Sequence, residues 1–94
     1  MFLPMNPVEY HGPHLSLPND RLISEGLAAE VFARLGAKHA DWPFLVASDL
    51  EMGVDPTPGP GTRETPFPIV REAVLDACQA LRALGARAVV VMTW

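Results

Sequence analysis

Three short apolar runs, separated by two segments of helical periodicity, restrict this chain to few folds. The runs are Met1–Met5, Phe44–Ala47 and Ala88–Met92. From Arg21 onward Leu22, Ile23, Leu27, Ala28, Val31, Phe32 and Leu35 recur at three- and four-residue steps, the spacing of one helical face. Asn19 or Asp20 suits the cap at its start, and Gly36 suits its end. A second helix is expected over about Ile69–Leu84, with Val70, Val74, Ala77, Cys78, Leu81 and Leu84 on one face and Gly85 as its stop. Strand, helix, strand, helix, strand is the order of a parallel sheet with crossover helices. The runs Phe44–Ala47 and Ala88–Met92 do not alternate in polarity, which suits strands covered on both faces. Three such strands and two helices cannot cover both faces of a sheet. The expectation is an α/β chain of three-layer α/β/α type with a mainly parallel sheet, incomplete or completed by another chain, with residues 1–94 as one partial domain.

Composition narrows the function classes. The net charge is -4, with the cations scattered singly, whereas a nucleic-acid surface needs a basic patch. Cys78 is the only cysteine, so no internal disulfide forms and no oxidising compartment is required. The N-terminus lacks the basic flank and long apolar core of a secretion signal, and no apolar stretch approaches spanning length. The expected setting is cytoplasmic, with neither nucleic acid nor membrane as partner.

The chemistry gathers in one connection. Glu9, His11, His14 and Asp20 fall between the first apolar run and the first helix. Connections at the carboxyl ends of strands in α/β sheets are where ligands and catalytic groups collect. Carboxylates and imidazoles together make a donor set that zinc, manganese or iron accepts. Glu9 and His11 are two apart, so in an extended segment they point to the same side. Asp20 can be brought back to them by the turn at Pro18. A second irregular segment, Asp49–Pro68, holds five prolines and three glycines and is too long for a simple connection. Its glycines do not form a phosphate-binding fingerprint, because the intervening prolines remove backbone donors.

Leu3-Pro4, Glu9-Tyr10-His11-Gly12-Pro13-His14-Leu15 and Asp20 resemble the creatininase (creatinine amidohydrolase) family, whose first strand runs into an E-x-H-G-x-H-L segment and then an Asp. Met52-Gly53-Val54, Pro60-Gly61-Thr62 and Leu84-Gly85-Ala86-Arg87 are similar to further stretches of that family. The resemblance implies a binuclear metal-dependent hydrolase of linear or cyclic amide C–N bonds. It implies that Glu9 binds one metal, that His11 binds the other, and that Asp20 bridges both. His14 is then left for a role on the substrate side or behind the ligands. The resemblance further implies two divalent ions (Zn, Mn or Fe), a small-molecule amide substrate and a homo-oligomer. It also places a second metal-binding loop beyond Trp94. The segment Asp55–Gly59 lacks the Glu-His pair usual in the family, and Ser16 stands where a proline is common.

Each residue taken singly has a plainer reading. Asp20 can be a simple N-cap, Glu9 a solvated carboxylate, and His11 and His14 loop polar residues bonded to backbone. His39 is expected to be exposed, and Cys78 to be a small core side chain. Asp49 and Glu51 read as loop carboxylates at a strand end, with Glu51 able to face the site. The alternative to an amide hydrolase is a non-catalytic metal- or ligand-binding α/β remnant of one.

Overall fold

In a computed structural model of the protein, which describes residues 1–93, the chain runs β1 (Phe2–Asn6), α1 (Asn19–Lys38), β2 (Leu50–Glu51), α2 (Phe67–Ala83) and β3 (Val90–Met92). Trp94 lies outside the described residues. The three strands are parallel, in the order β2-β1-β3. The fold is therefore α/β, with the order of elements expected from the apolar runs. β1 is the central strand, and Phe2, Leu3, Pro4 and Asn6 are buried in it. The path from β1 goes first to one side, through α1 to β2, and then back across β1 to β3. Such a reversal is a topological switch point, and ligands bind at the carboxyl ends of the strands beside it. The connection that leaves β1 at this edge is the one carrying Glu9 and His11.

The second strand is not at Phe44–Ala47. That segment touches β1 through a single bridge, Phe2 to Val46, and the ladder resumes only at Met5 with Leu50 and Asn6 with Glu51. Pro4 explains the break. The Phe2 N–H donates to Leu45 and its C=O accepts from Ala47, both at 2.8 Å. Strand alternation turns Pro4 to this same side, and proline has no N–H to give.

α1 departs from expectation at both ends and in its buried stripe. Pro18 occupies the N-cap position and no side chain caps the helix, so neither Asn19 nor Asp20 is a cap. The helix passes through Gly36 to Lys38. His39 closes it by donating its N–H to Leu35 at 2.8 Å and stacking on Trp42, with ring centroids 4.2 Å apart. His39 is accordingly half-buried rather than exposed. The buried residues are Asp20, Ser24 and Ala28, one per turn, while Leu22, Leu27 and Phe32 are exposed. A polar stripe thus faces the sheet near the site. α2 follows its expected face more closely, with Val70 and Leu81 buried and Cys78 half-buried. Leu84 is exposed, and Gly85 at φ 99° supplies the left-handed stop.

The molecule is a slab of 45 × 30 × 14 Å. Val90 and Val91 of β3, together with Phe67, Ile69 and Leu75 of α2, are exposed. These strand and helix residues are of the type that packs between layers, so the sheet is only partly covered. Among the described residues no helix is long and apolar enough to cross a membrane.

Candidate metal centre

Two loops and one helix start build the site. After Asn6 the chain leaves β1 extended, and Val8 forms an antiparallel bridge with Arg63. Glu9 and His11 follow, and at Gly12, with φ 100°, the chain turns away. The Pro18 turn then starts α1, which sets Asp20 in its first turn, facing inward at 1 % exposure. Glu9, His11 and Asp20 each offer a donor atom, and these atoms lie within 4.8 Å of one another. His11 Nε2 is 2.9 Å from Asp20 Oδ1 and 3.2 Å from Glu9 Oε1.

These contacts do not satisfy the groups involved. His11 Nε2 and Asp20 Oδ1 meet as an ion pair at 2.9 Å that lacks good hydrogen-bond geometry, and Asp20 Oδ2 is buried without a well-aligned partner among the described residues. Buried polar atoms are normally paired, since leaving one bare costs about 1–3 kcal/mol. Two carboxylates and an imidazole drawn together in this way are what a cation would satisfy. Bonds of about 2.0–2.2 Å to a shared tetrahedral ion set donors roughly 3.3–3.6 Å apart, so the His11 contacts of 2.9 and 3.2 Å would open slightly around one. The donor set of two carboxylates and an imidazole suits a divalent transition metal.

The electrostatics agree. Burial pushes the Asp20 carboxyl above its usual value, with His11 pulling it down and Glu9 adding to the rise. A buried carboxylate of this kind is the group most relieved by a bound cation.

Glu9 is held from behind. The Thr57 N–H donates to Glu9 Oε2 at 2.5 Å, which leaves Oε1 toward His11. Outer partners of this kind fix the orientation of metal ligands. Thr57 was not singled out in the sequence. The available signal was the glycines of its loop: a Cβ on Gly59 would lie 2.5 Å from the Tyr10 side chain, so the loop can approach the ligand segment this closely only with glycine there.

The other candidates are placed elsewhere. His14 is exposed and outside the cluster, its ring lying against Gly12. Glu51 does not face the cluster but takes the Arg21 guanidinium at 2.6 Å. Asp49 is bound by Asn6, whose Nδ2 donates to Asp49 Oδ1 at 2.6 Å, while Ser24 Oγ donates to Asn6 Oδ1 at 2.6 Å. This chain of bonds ties β1 to α1 and to the segment before β2. Arg21, Glu25, Ser48, Asp49, Glu51 and Arg63 line an open polar cleft of about 600 Å³ beside it.

Burial raises the Asp49 carboxyl above 3.8, and Glu51 and Glu25 add to this against Asn6 and Arg21. The folded state then holds a proton that the unfolded chain has released, so stability falls as pH rises from 3.8 through the raised value. Asp49→Asn keeps an acceptor for Asn6 and removes the buried charge. It is expected to raise stability at neutral pH by up to about 1 kcal/mol and to flatten this pH dependence. Urea midpoints measured across that range check both, and a lower midpoint for the variant at neutral pH would refute the assignment.

A family model described as creatinine amidohydrolase (Creatininase) matches residues 1–94. No curated protein and no solved structure matches the chain significantly. The family match runs through the segment that brings Glu9, His11 and Asp20 together, and the chain belongs to the creatininase family, which generally uses a divalent metal.

Proposed function

We propose that this chain holds a divalent-metal centre of an amidohydrolase that cleaves a linear or cyclic amide C–N bond. The observation that carries the reading is the convergence of donor atoms from Glu9, His11 and Asp20 within 4.8 Å of one another, with the Asp20 carboxylate buried among them. Three protein donors are the number usual in a catalytic, as opposed to a closed structural, site. Asp20, buried with its carboxylate turned toward His11, has two oxygens with which it would bridge two ions. Divalent ions held here would supply an activated water at neutral pH and a Lewis acid for the amide carbonyl.

The protein's own contribution is positional. Glu9, His11 and Asp20 hold the charge in place, and the Thr57 amide keeps one Glu9 oxygen turned inward. His14, at the solvent side of the same loop, is the residue we assign to contact with the substrate. Val90, Val91, Phe67 and Ile69, all exposed, support a homo-oligomer. The single cysteine supports a cytoplasmic setting.

The first test is elemental analysis of the protein purified without added metal, beside a Glu9→Ala/His11→Ala control. Near-stoichiometric zinc, manganese or iron that disappears in the control is expected, followed by turnover of small amides. No metal even after reconstitution would overturn the reading. Metal without amide turnover would favour a metal-binding remnant of the enzyme.

A further inference from the structure

We propose that Thr62 is a positioning residue of the metal centre, setting metal affinity from outside the ligand set. The inference rests on the metal reading above. One hydroxyl makes two bonds: Thr62 Oγ1 accepts from the Tyr10 N–H at 2.9 Å and donates to the Thr57 C=O at 2.8 Å. Tyr10 lies between the ligands Glu9 and His11, so the first bond grips the backbone of the ligand segment. Thr57 is the residue whose amide holds Glu9 Oε2, so the second bond grips the partner of that ligand. Thr62 is thus the point where the ligand loop and its support are joined.

The surroundings make this joint tight. The Arg63 N–H donates to the Val8 C=O at 2.9 Å, and the Thr62 N–H to the Gly59 C=O at 3.1 Å. A Cβ on Gly61, at φ 86°, would lie 2.7 Å from Leu17 Cδ1. Pro56, Pro58 and Pro60 restrict the backbone of the same loop. A glutamate side chain left unheld would have to surrender its rotamer freedom when it bound an ion. Held at Oε2, it has surrendered that freedom on folding, and the ion meets a site already arranged.

The experiment is calorimetric titration of the full chain with zinc and with manganese, for the parent, Thr62→Val and Thr62→Ser. Thr62→Val keeps the shape and loses both bonds, and it is expected to weaken metal binding roughly ten- to a hundredfold, as outer partners of metal ligands do. Thr62→Ser restores the hydroxyl and is expected to keep the parent affinity. A second readout separates positioning from plain support of the loop. At saturating cobalt, the visible ligand-field spectrum of Thr62→Val should move toward that of Glu9→Ala, because the same ligand is lost from its place. If Thr62→Val lacks the parent far-ultraviolet circular dichroism, Thr62→Ala, which leaves room for a water, takes its place. Parent-like affinity and spectrum in the hydroxyl-free variant would overturn the inference and leave the metal reading standing. No binding by the parent chain would remove the metal reading, and this inference with it.

Discussion

Asp20→Asn is expected to weaken metal binding by more than about a hundredfold, beyond the ten- to hundredfold that outer-shell substitutions cost. It is also expected to leave the metal-free fold at least as stable as the parent. The two halves of this result have one cause. Asp20 is 1 % exposed, and its carboxylate meets His11 at 2.9 Å without good hydrogen-bond geometry. An ionised carboxylate in that position opposes folding, and the rise in its proton affinity reports this. His11 offsets part of that cost, and a bound cation would offset more. Were Asp20 an N-cap, its loss would cost about 1 kcal/mol of stability with or without metal. No side chain caps α1, so that cost should not appear. Calorimetric titration gives the affinity, and urea unfolding with and without chelator gives the stability. A metal-free variant about 1 kcal/mol less stable than the parent would restore the capping role. Undiminished metal uptake would take Asp20 out of the site.

Asn6→Ala is expected to cost about 2–5 kcal/mol of stability, the range for breaking a buried polar connection and leaving its partners bare. Asn6 is fully buried, and it accepts from Ser24 on α1 and donates to Asp49 ahead of β2. Removing the amide leaves a hydroxyl and a carboxylate without those bonds in a poorly solvated place. The same change should loosen the start of α1, where Asp20 lies one turn before Ser24, and so lower metal affinity as well. Thermal unfolding and metal titration of the variant measure the two effects. A stability loss within 0.5 kcal/mol, the range of an ordinary surface change, would show that the connection holds nothing together.

The order of elements was legible in the sequence because apolar periodicity is a local signal. Val70 and Leu81 lie on the face that the three- and four-residue spacing of α2 picks out, and Gly85 ends the helix as its type demands. The placement of the second strand was not legible. A run such as Phe44–Ala47 shows affinity for a sheet, but which of its residues pair depends on the donors of the neighbouring strand. Pro4 on β1 withholds one of them. The α1 face was misjudged for a related reason. Hydrophobicity favoured Leu22, Leu27 and Phe32, yet the sheet edge beneath the helix offers Asn6, a polar partner that draws in Ser24.

The metal site divides along the same line. By itself the sequence determined the candidate donors: Glu9 and His11 two apart after a strand and an Asp at the next helix start are types that suit a metal, and the family resemblance is what grouped them. Only the tertiary structure decided that they converge within 4.8 Å of one another, that His14 and Glu51 stay outside, and that Thr57 and Thr62 stand behind Glu9. Those relations join residues about fifty positions apart through single backbone groups. A backbone N–H or C=O is the same at every residue other than proline, so its partner is chosen by the path of the chain and leaves no mark in the sequence.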